Sequence, residues 1–308
     1  MSPITYQQQY WELQVAVVQD EKVVRWQPVV LNNYVLIVGQ TEAGALIWDS
    51  DHPNNQAAHD AMLGKLWEHF GRTNNKGATL TTHVKAADGS RDHTEFTTWN
   101  EVWFHAQKAF MGKGSPEEAQ ITLQLADRFG LLKGGDLQAY CDKYLGLDCN
   151  GFVGNYLAHG KPEKAWDADP PGAGYLANTD IANIVSRTCA KPSVKTADEI
   201  VSANSYVMAM TDSAGRVIAR FGPNGSVGHI FITLPGYKSE AVYPFDGKFP
   251  YEKRAKVPTL WAAESTGGIG LTLNKCQIVS GTADGVFMVK RYSHPLMAPL
   301  PFRAFRVL

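Results

Sequence analysis

Three residues, far apart along the chain, have the types that an acyl-transfer reaction needs. Cys149 stands directly before Asn150-Gly151, and an apolar pattern at helical spacing follows it: Phe152, Val153, Tyr156, Leu157. The pattern predicts a turn feeding a buried helix, with the thiol among the helix's first residues. Backbone N–H groups there lack intrahelical partners and carry partial positive charge, which favours the thiolate, the nucleophilic form of cysteine. The competing fate of such a cysteine is to pack as a small apolar side chain. A thiolate nucleophile also needs an imidazole within hydrogen-bond reach and a third polar group to orient it. His229 opens the alternating strand Gly228-His229-Ile230-Phe231-Ile232-Thr233-Leu234 and is the expected base. Glu264 closes the apolar run Thr259-Leu260-Trp261-Ala262-Ala263 and is the expected orienter, with Ser265 as the alternative. Asp148 is expected to serve in a turn or in substrate contact, and Asn150 is a further candidate contact. The backbone N–H of Cys149 would be one donor to an oxyanion.

These residues need a scaffold. Residues 11 to 48 read as strands, with Glu12 to Val18 and Val23 to Val30 flanking the turn-like Gln19-Asp20-Glu21-Lys22, and with Tyr34 to Val38 and Ala45 to Trp48 continuing the β character. Gln56 to Phe70 reads as a helix stopped by Gly71. Thr79 to Lys85 and His93 to Thr97 flank Asp88-Gly89, a hairpin signal. Two helices then carry start signals, Thr98 with Glu101 and Ser115-Pro116-Glu117-Glu118, and end at Gly112 and Gly130. A shorter helix from Asp136 to Tyr144 leads to the cysteine turn. A breaker-rich stretch, Gly160-Lys161-Pro162 and Asp169 to Gly174, is expected to be a surface loop shaping a cleft. Strands return with Ser205 to Met210 and Arg216 to Phe221 flanking a turn, then His229 to Leu234, Thr259 to Ser265, and Val286 to Tyr292 as the expected last strand.

Composition excludes several classes. Lys plus Arg is 29 and Asp plus Glu is 30 in 308 residues, so the net charge of −1 argues against a nucleic-acid footprint or a polybasic membrane patch. No apolar run is long enough to span a bilayer. The polar start lacks the basic and apolar regions of a secretory signal, so the expectation is a cytoplasmic protein or one exported without a cleaved signal. Cys141, Cys149, Cys189 and Cys276 match no zinc-site spacing. His52, His59 and His69 assemble no ligand set and are expected to be solvated or packed. No metal or cofactor is expected.

Leu147-Asp148-Cys149-Asn150-Gly151-Phe152-Val153 resembles the Asp-Cys-Ser-Gly-Phe block of the NlpC-type cell-wall peptidases, a papain-like superfamily. Gly228-His229-Ile230-Phe231-Ile232 is similar to that family's Gly-His-Val-Gly-Ile-Tyr strand. Thr196 to Ile200, leading to Tyr206-Val207-Met208, sits where the family has its Gly-Asp-Leu-Val-Phe strand. Asn150 stands where the family has serine, Glu264 where it commonly has histidine or another polar residue, and the cysteine-to-histidine separation implies an insertion around the Pro-Gly loop.

The resemblance implies an α+β protein. Residues 98–308 would form a papain-like domain, its cysteine helix packed on an antiparallel sheet that bears the histidine. Residues 1–97 would be a hairpin-rich α+β region of unknown type. It implies a cysteine amidase or endopeptidase acting on peptidoglycan stem peptides, as an antibacterial effector, a phage lysin or a recycling enzyme, with an immunity or delivery protein as a possible partner. Two other readings stay open: a papain-like acyltransferase, deamidase or lipid-ester hydrolase, and a non-catalytic binding protein.

Overall fold

In the computed structural model, contacts divide the chain into two units: residues 5–151 with 266–271, and residues 1–4, 152–265 and 272–308. The structure describes residues 1–42, 46–49, 55–86, 88–159, 179–191, 193–200, 203–219, 228–241, 256–282, 284–293 and 298–307. His52, the Pro-Gly loop and the end of the expected strand at Arg220-Phe221 lie outside them.

The unit containing residues 5–151 is built from hairpins and helices. Strands β1 (Leu13–Gln19) and β2 (Lys22–Val29) pair antiparallel. Their two-residue turn places Asp20 and Glu21 at φ of 47° and 59°, the left-handed pair whose twist matches a hairpin. A helix that the sequence reading missed, α1 (Pro3–Trp11), precedes them. Its run of three glutamines looks polar, yet Tyr6 and Tyr10 are buried and the Tyr10 hydroxyl donates to the carbonyl of Gly114 at 3.1 Å. Strands β3 (Ile37–Gln40) and β4 (Leu46–Trp48) form a second hairpin, and α2 (Asn55–Phe70) ends at Gly71 in the left-handed region. Strands β5 (Leu80–Lys85) and β6 (Arg91–Phe96) form the third hairpin.

Helices α3 (Trp99–Phe110), α4 (Pro116–Arg128), α5 (Leu137–Tyr144) and α6 (Cys149–Ala158) follow. Ser115 and Glu118 close the expected capping box on α4, whereas Thr98 makes no side-chain cap on α3. The division expected between residues 97 and 98 is not where contacts separate the chain. The reason lies on α4: Gln120 Oε1 accepts from Lys85 N and Gln124 Oε1 from His83 N, both at 2.9 Å, while Gln124 Nε2 donates to Ala16 O at 3.3 Å. Two hairpins thus satisfy part of their backbone through side chains of a helix placed after the expected boundary.

The other unit contains α7 (Ile181–Thr188), capped by Asp180, and a closed six-stranded barrel. Its strands are β7 (Tyr206–Met210), β8 (Ile230–Ala241), β9 (Lys256–Thr266), β10 (Gly270–Gly281), β11 (Phe287–Arg291) and β12 (Leu300–Arg306), in the order β10-β11-β12-β7-β8-β9. The protein is therefore a mixed helix-and-strand chain, and the strand pairs in both units are antiparallel. Phe231, Leu260, Ile278, Phe287 and Phe302 fill the barrel core.

The barrel corrects two sequence expectations. The strand expected from Arg216 is, over its described residues, a single bridge from Val217 to Thr211, because both edges of β7 are already taken by β8 and β12. The strand at 286–292 is not the last: β12 follows, and the sequence reading also passed over β10. No helix among the described residues is long and apolar enough to cross a membrane.

Candidate active site

The thiol sits at a crowded backbone crossing. Leu147 N donates to Asn33 O at 2.9 Å, and Asp148 N donates to Gly112 O at 3.0 Å. A Cβ on Gly151 would fall 2.0 Å from Gly112 O, and one on Gly146 would fall 2.8 Å from Asn33 O, so both glycines are required by close approach. Asp148 Oδ1 accepts from Gly151 N at 2.6 Å, three residues on, which is an N-cap bond for α6. Its Oδ2 pairs with the Lys113 ammonium, and both side chains are buried. Cys149 is then the first residue of α6, is 4% exposed, and its Sγ lies 3.5 Å from Asn150 Oδ1.

The other three cysteines are also buried thiols. Burial pushes the thiols of Cys141 and Cys276 well above the usual range and that of Cys189 up to about 11, so all three stay protonated near neutral pH.

The imidazole belongs to the barrel unit. Gly228 lets the chain pass within 2.8 Å of the Ile218 carbonyl, measured to the Cβ that any other residue would carry. His229 follows it, immediately before β8, and its own carbonyl accepts from Met210 N at 2.9 Å. His229 Nε2 lies 2.8 Å from Glu264 Oε2. Glu264 is fully buried and its carboxylate is saturated with donors. Arg291 Nη1 donates to Oε2 at 2.8 Å, while Asn274 Nδ2 and Ser293 Oγ donate to Oε1 at 2.8 and 2.6 Å. Burial alone would raise the pKa of this carboxyl. The hydrogen bond and charge of His229, the Arg291 guanidinium and the Ser293 hydroxyl outweigh it and hold the value at about 2. An ionised carboxylate on Nε2 holds the proton of a neutral imidazole at that nitrogen, which makes Nδ1 the basic one.

The structure therefore brings His229 and Glu264 together, within the unit that holds residues 152–265, and puts Cys149 at a helix start, as the sequence pattern predicts. Asp148 acts as a helix cap and ion-pair partner. Ser265 is fully buried beside Glu264 in β9, and Asn150 accepts from the thiol. Four participants were missed: Lys113, Asn274, Arg291 and Ser293. A signal existed for one of them. Glu264 follows the apolar run Leu260-Trp261-Ala262-Ala263, Arg291 ends β11 after Phe287-Met288-Val289 and Lys290, and opposite charges beside apolar runs are buried as pairs. In the hairpin-and-helix unit His59 packs against Trp48, Trp103 and Phe110, and His69 Nε2 lies 2.9 Å from Thr79 O.

No protein-family model, no curated protein and no solved structure matches the chain.

Proposed function

We propose that the protein is a papain-like cysteine hydrolase that cleaves an amide bond through Cys149, His229 and Glu264. The observation that carries this reading is the buried His229–Glu264 pair at 2.8 Å, whose carboxylate also accepts from Arg291, Asn274 and Ser293. A histidine that only packs in a strand has no need of an acid so completely held in one orientation. The thiol at the start of α6 and an antiparallel barrel carrying the histidine are the parts such chemistry uses.

In the proposed cycle His229 Nδ1 takes the Cys149 proton as Sγ attacks the carbonyl carbon. The resulting oxyanion accepts from backbone N–H groups at the start of α6, Cys149 N among them. The C–N bond then breaks, the amine leaves with the proton from His229, and a thioester remains. Water, deprotonated by His229, attacks the thioester and releases the acid and the thiol. Throughout, Glu264 holds the imidazole and stabilises its protonated form.

The resemblance of the Asp148-Cys149-Asn150-Gly151 block to the NlpC-type peptidases favours a peptidoglycan stem peptide as substrate, in the setting of a delivered antibacterial effector or a lysin. Incubation of purified peptidoglycan with the wild type should yield fragments with new amine and carboxylate ends by mass spectrometry. Cys149→Ala and His229→Ala should yield none. Identical fragments from wild type and Cys149→Ala would remove the hypothesis. Turnover of lipid esters or protein amides, with peptidoglycan left intact, would move it to another branch of the same chemistry.

A further inference from the structure

A second feature lies in the hairpin-and-helix unit and is independent of the thiol. The register of the β5–β6 hairpin sets His83 directly opposite His93 and Lys85 directly opposite Arg91. Residues 83 and 85 are two apart, so both pairs share one face. Like charges opposed across a strand pair destabilise a sheet, and Lys85 with Arg91 is such a pair.

β2 adds to the same place. Arg25 joins His83, Arg91 and His93 in lining a groove of about 290 Å³, and Val24 and Trp26 supply its apolar part. The pairing of β1 with β2 slips between Val17 and Val18, which leaves Val24 as the extra residue and 52% exposed. The Arg91 guanidinium sits over the Trp26 ring, 5.7 Å from its centroid. Charge compensation is thin. Arg128 pairs with Glu21, but among the described residues no ion pair involves Arg25, Arg91 or His93. Asp92, the carboxylate that lines the groove, accepts from the backbone N–H of His93. The crowding is felt by His83, whose pKa is lowered by burial and then by the repulsion of His93 and Arg128, against a smaller opposing pull from Glu21.

We propose that this groove docks an acidic, partly apolar segment of a partner protein. Cations set against one another at a cost to the hairpin's own stability are relieved by an anion. Arginine and tryptophan around an exposed aliphatic side chain are the composition of a protein-binding hot spot. A nucleic acid would call for an extended basic field, which a chain of net charge −1 does not offer.

The test uses the full chain and a fluorescein-labelled dodecapeptide of alternating Glu and Leu, followed by fluorescence anisotropy. Saturable binding is expected, with no binding of the Lys-Leu counterpart. The double variant Arg25→Glu/Arg91→Glu should weaken binding at least tenfold. Its melting temperature should equal or exceed that of the wild type, because residue 91 then faces Lys85 as an opposite charge. Unchanged affinity in the double variant, or a lowered melting temperature, would overturn the proposal. So would equal binding of a Glu-Ser peptide or of a single-stranded oligonucleotide, since either would reduce the groove to a nonspecific cation.

Discussion

Two buried carboxylates, one in each unit, stand beside the two residues that the proposed reaction uses, and they are held in opposite ways. Glu264 takes all its partners from side chains: His229, Asn274, Arg291 and Ser293. Asp148 divides its oxygens between the Lys113 ammonium and the backbone N–H of Gly151. Each has a cation, so neither is a bare buried charge. The difference lies in what else each one fixes. Asp148 fixes main chain, so it can set where a helix begins. Glu264 fixes the plane and tautomer of an imidazole, so it can set where a proton goes. A carboxylate adjacent in sequence to the proposed nucleophile thus holds backbone here, and the one distant in sequence holds the imidazole.

The contrast can be broken most severely at Glu264. Glu264→Leu leaves the buried Arg291 and Asn274 and the half-buried Ser293 around an apolar side chain. It should destabilise the protein by about 3–5 kcal/mol, read from urea unfolding, and turnover should be lost with it. A stability loss below about 1 kcal/mol would mean that Arg291 finds water instead. Lys113→Met should be milder, roughly 2 kcal/mol, because Asp148 keeps Gly151 N and can take up a proton. Its signature is local: alkylation of Cys149 should slow as the start of α6 loosens, while the His229–Glu264 pair is untouched. Equal alkylation rates in variant and wild type would show that the cap does not govern the thiol.

The pH dependence gives the smallest and most specific effect. The carboxyl of Glu264 titrates at about 2 in the folded chain, below its ordinary 4.5. Its ionic contribution is therefore complete above the ordinary value and is lost as pH falls towards about 2. The stability gap between wild type and Glu264→Gln should shrink steadily on acidification through that window. A gap constant from neutral to acid pH would show that shape, not charge, holds the site.

What the sequence revealed follows from the range of the forces involved. Local signals were legible: the turn at Asp20-Glu21, the capping box at Ser115, the glycine stops after α2 and α3, and the cysteine at a helix start. Glu264 was legible as a charge out of place in an apolar run. Signals that depend on a distant partner were not. β12 carries Pro301, Arg303 and Arg306 and does not look like a core strand, but Phe302 and Ala304 point into the barrel and their neighbours lie on β7 and β11. The expected boundary after residue 97 followed a change from strands to helices. The glutamines of α4 that bind the hairpins gave no warning, because their period is helical and their type is polar. Lys113 was silent for a similar reason, since a lone lysine between two glycines reads as a solvated turn.

The position of β12 between β11 and β7 has a consequence for how the molecule is made. Synthesis runs from the N-terminus, so residues 300–306 are the last of the ring to leave the ribosome. Until they arrive, β7 and β11 each present a bare flank to other nascent chains. A stall or a proteolytic clip just upstream of Leu300 would leave that gap permanently, and the product would be prone to clump rather than merely inactive.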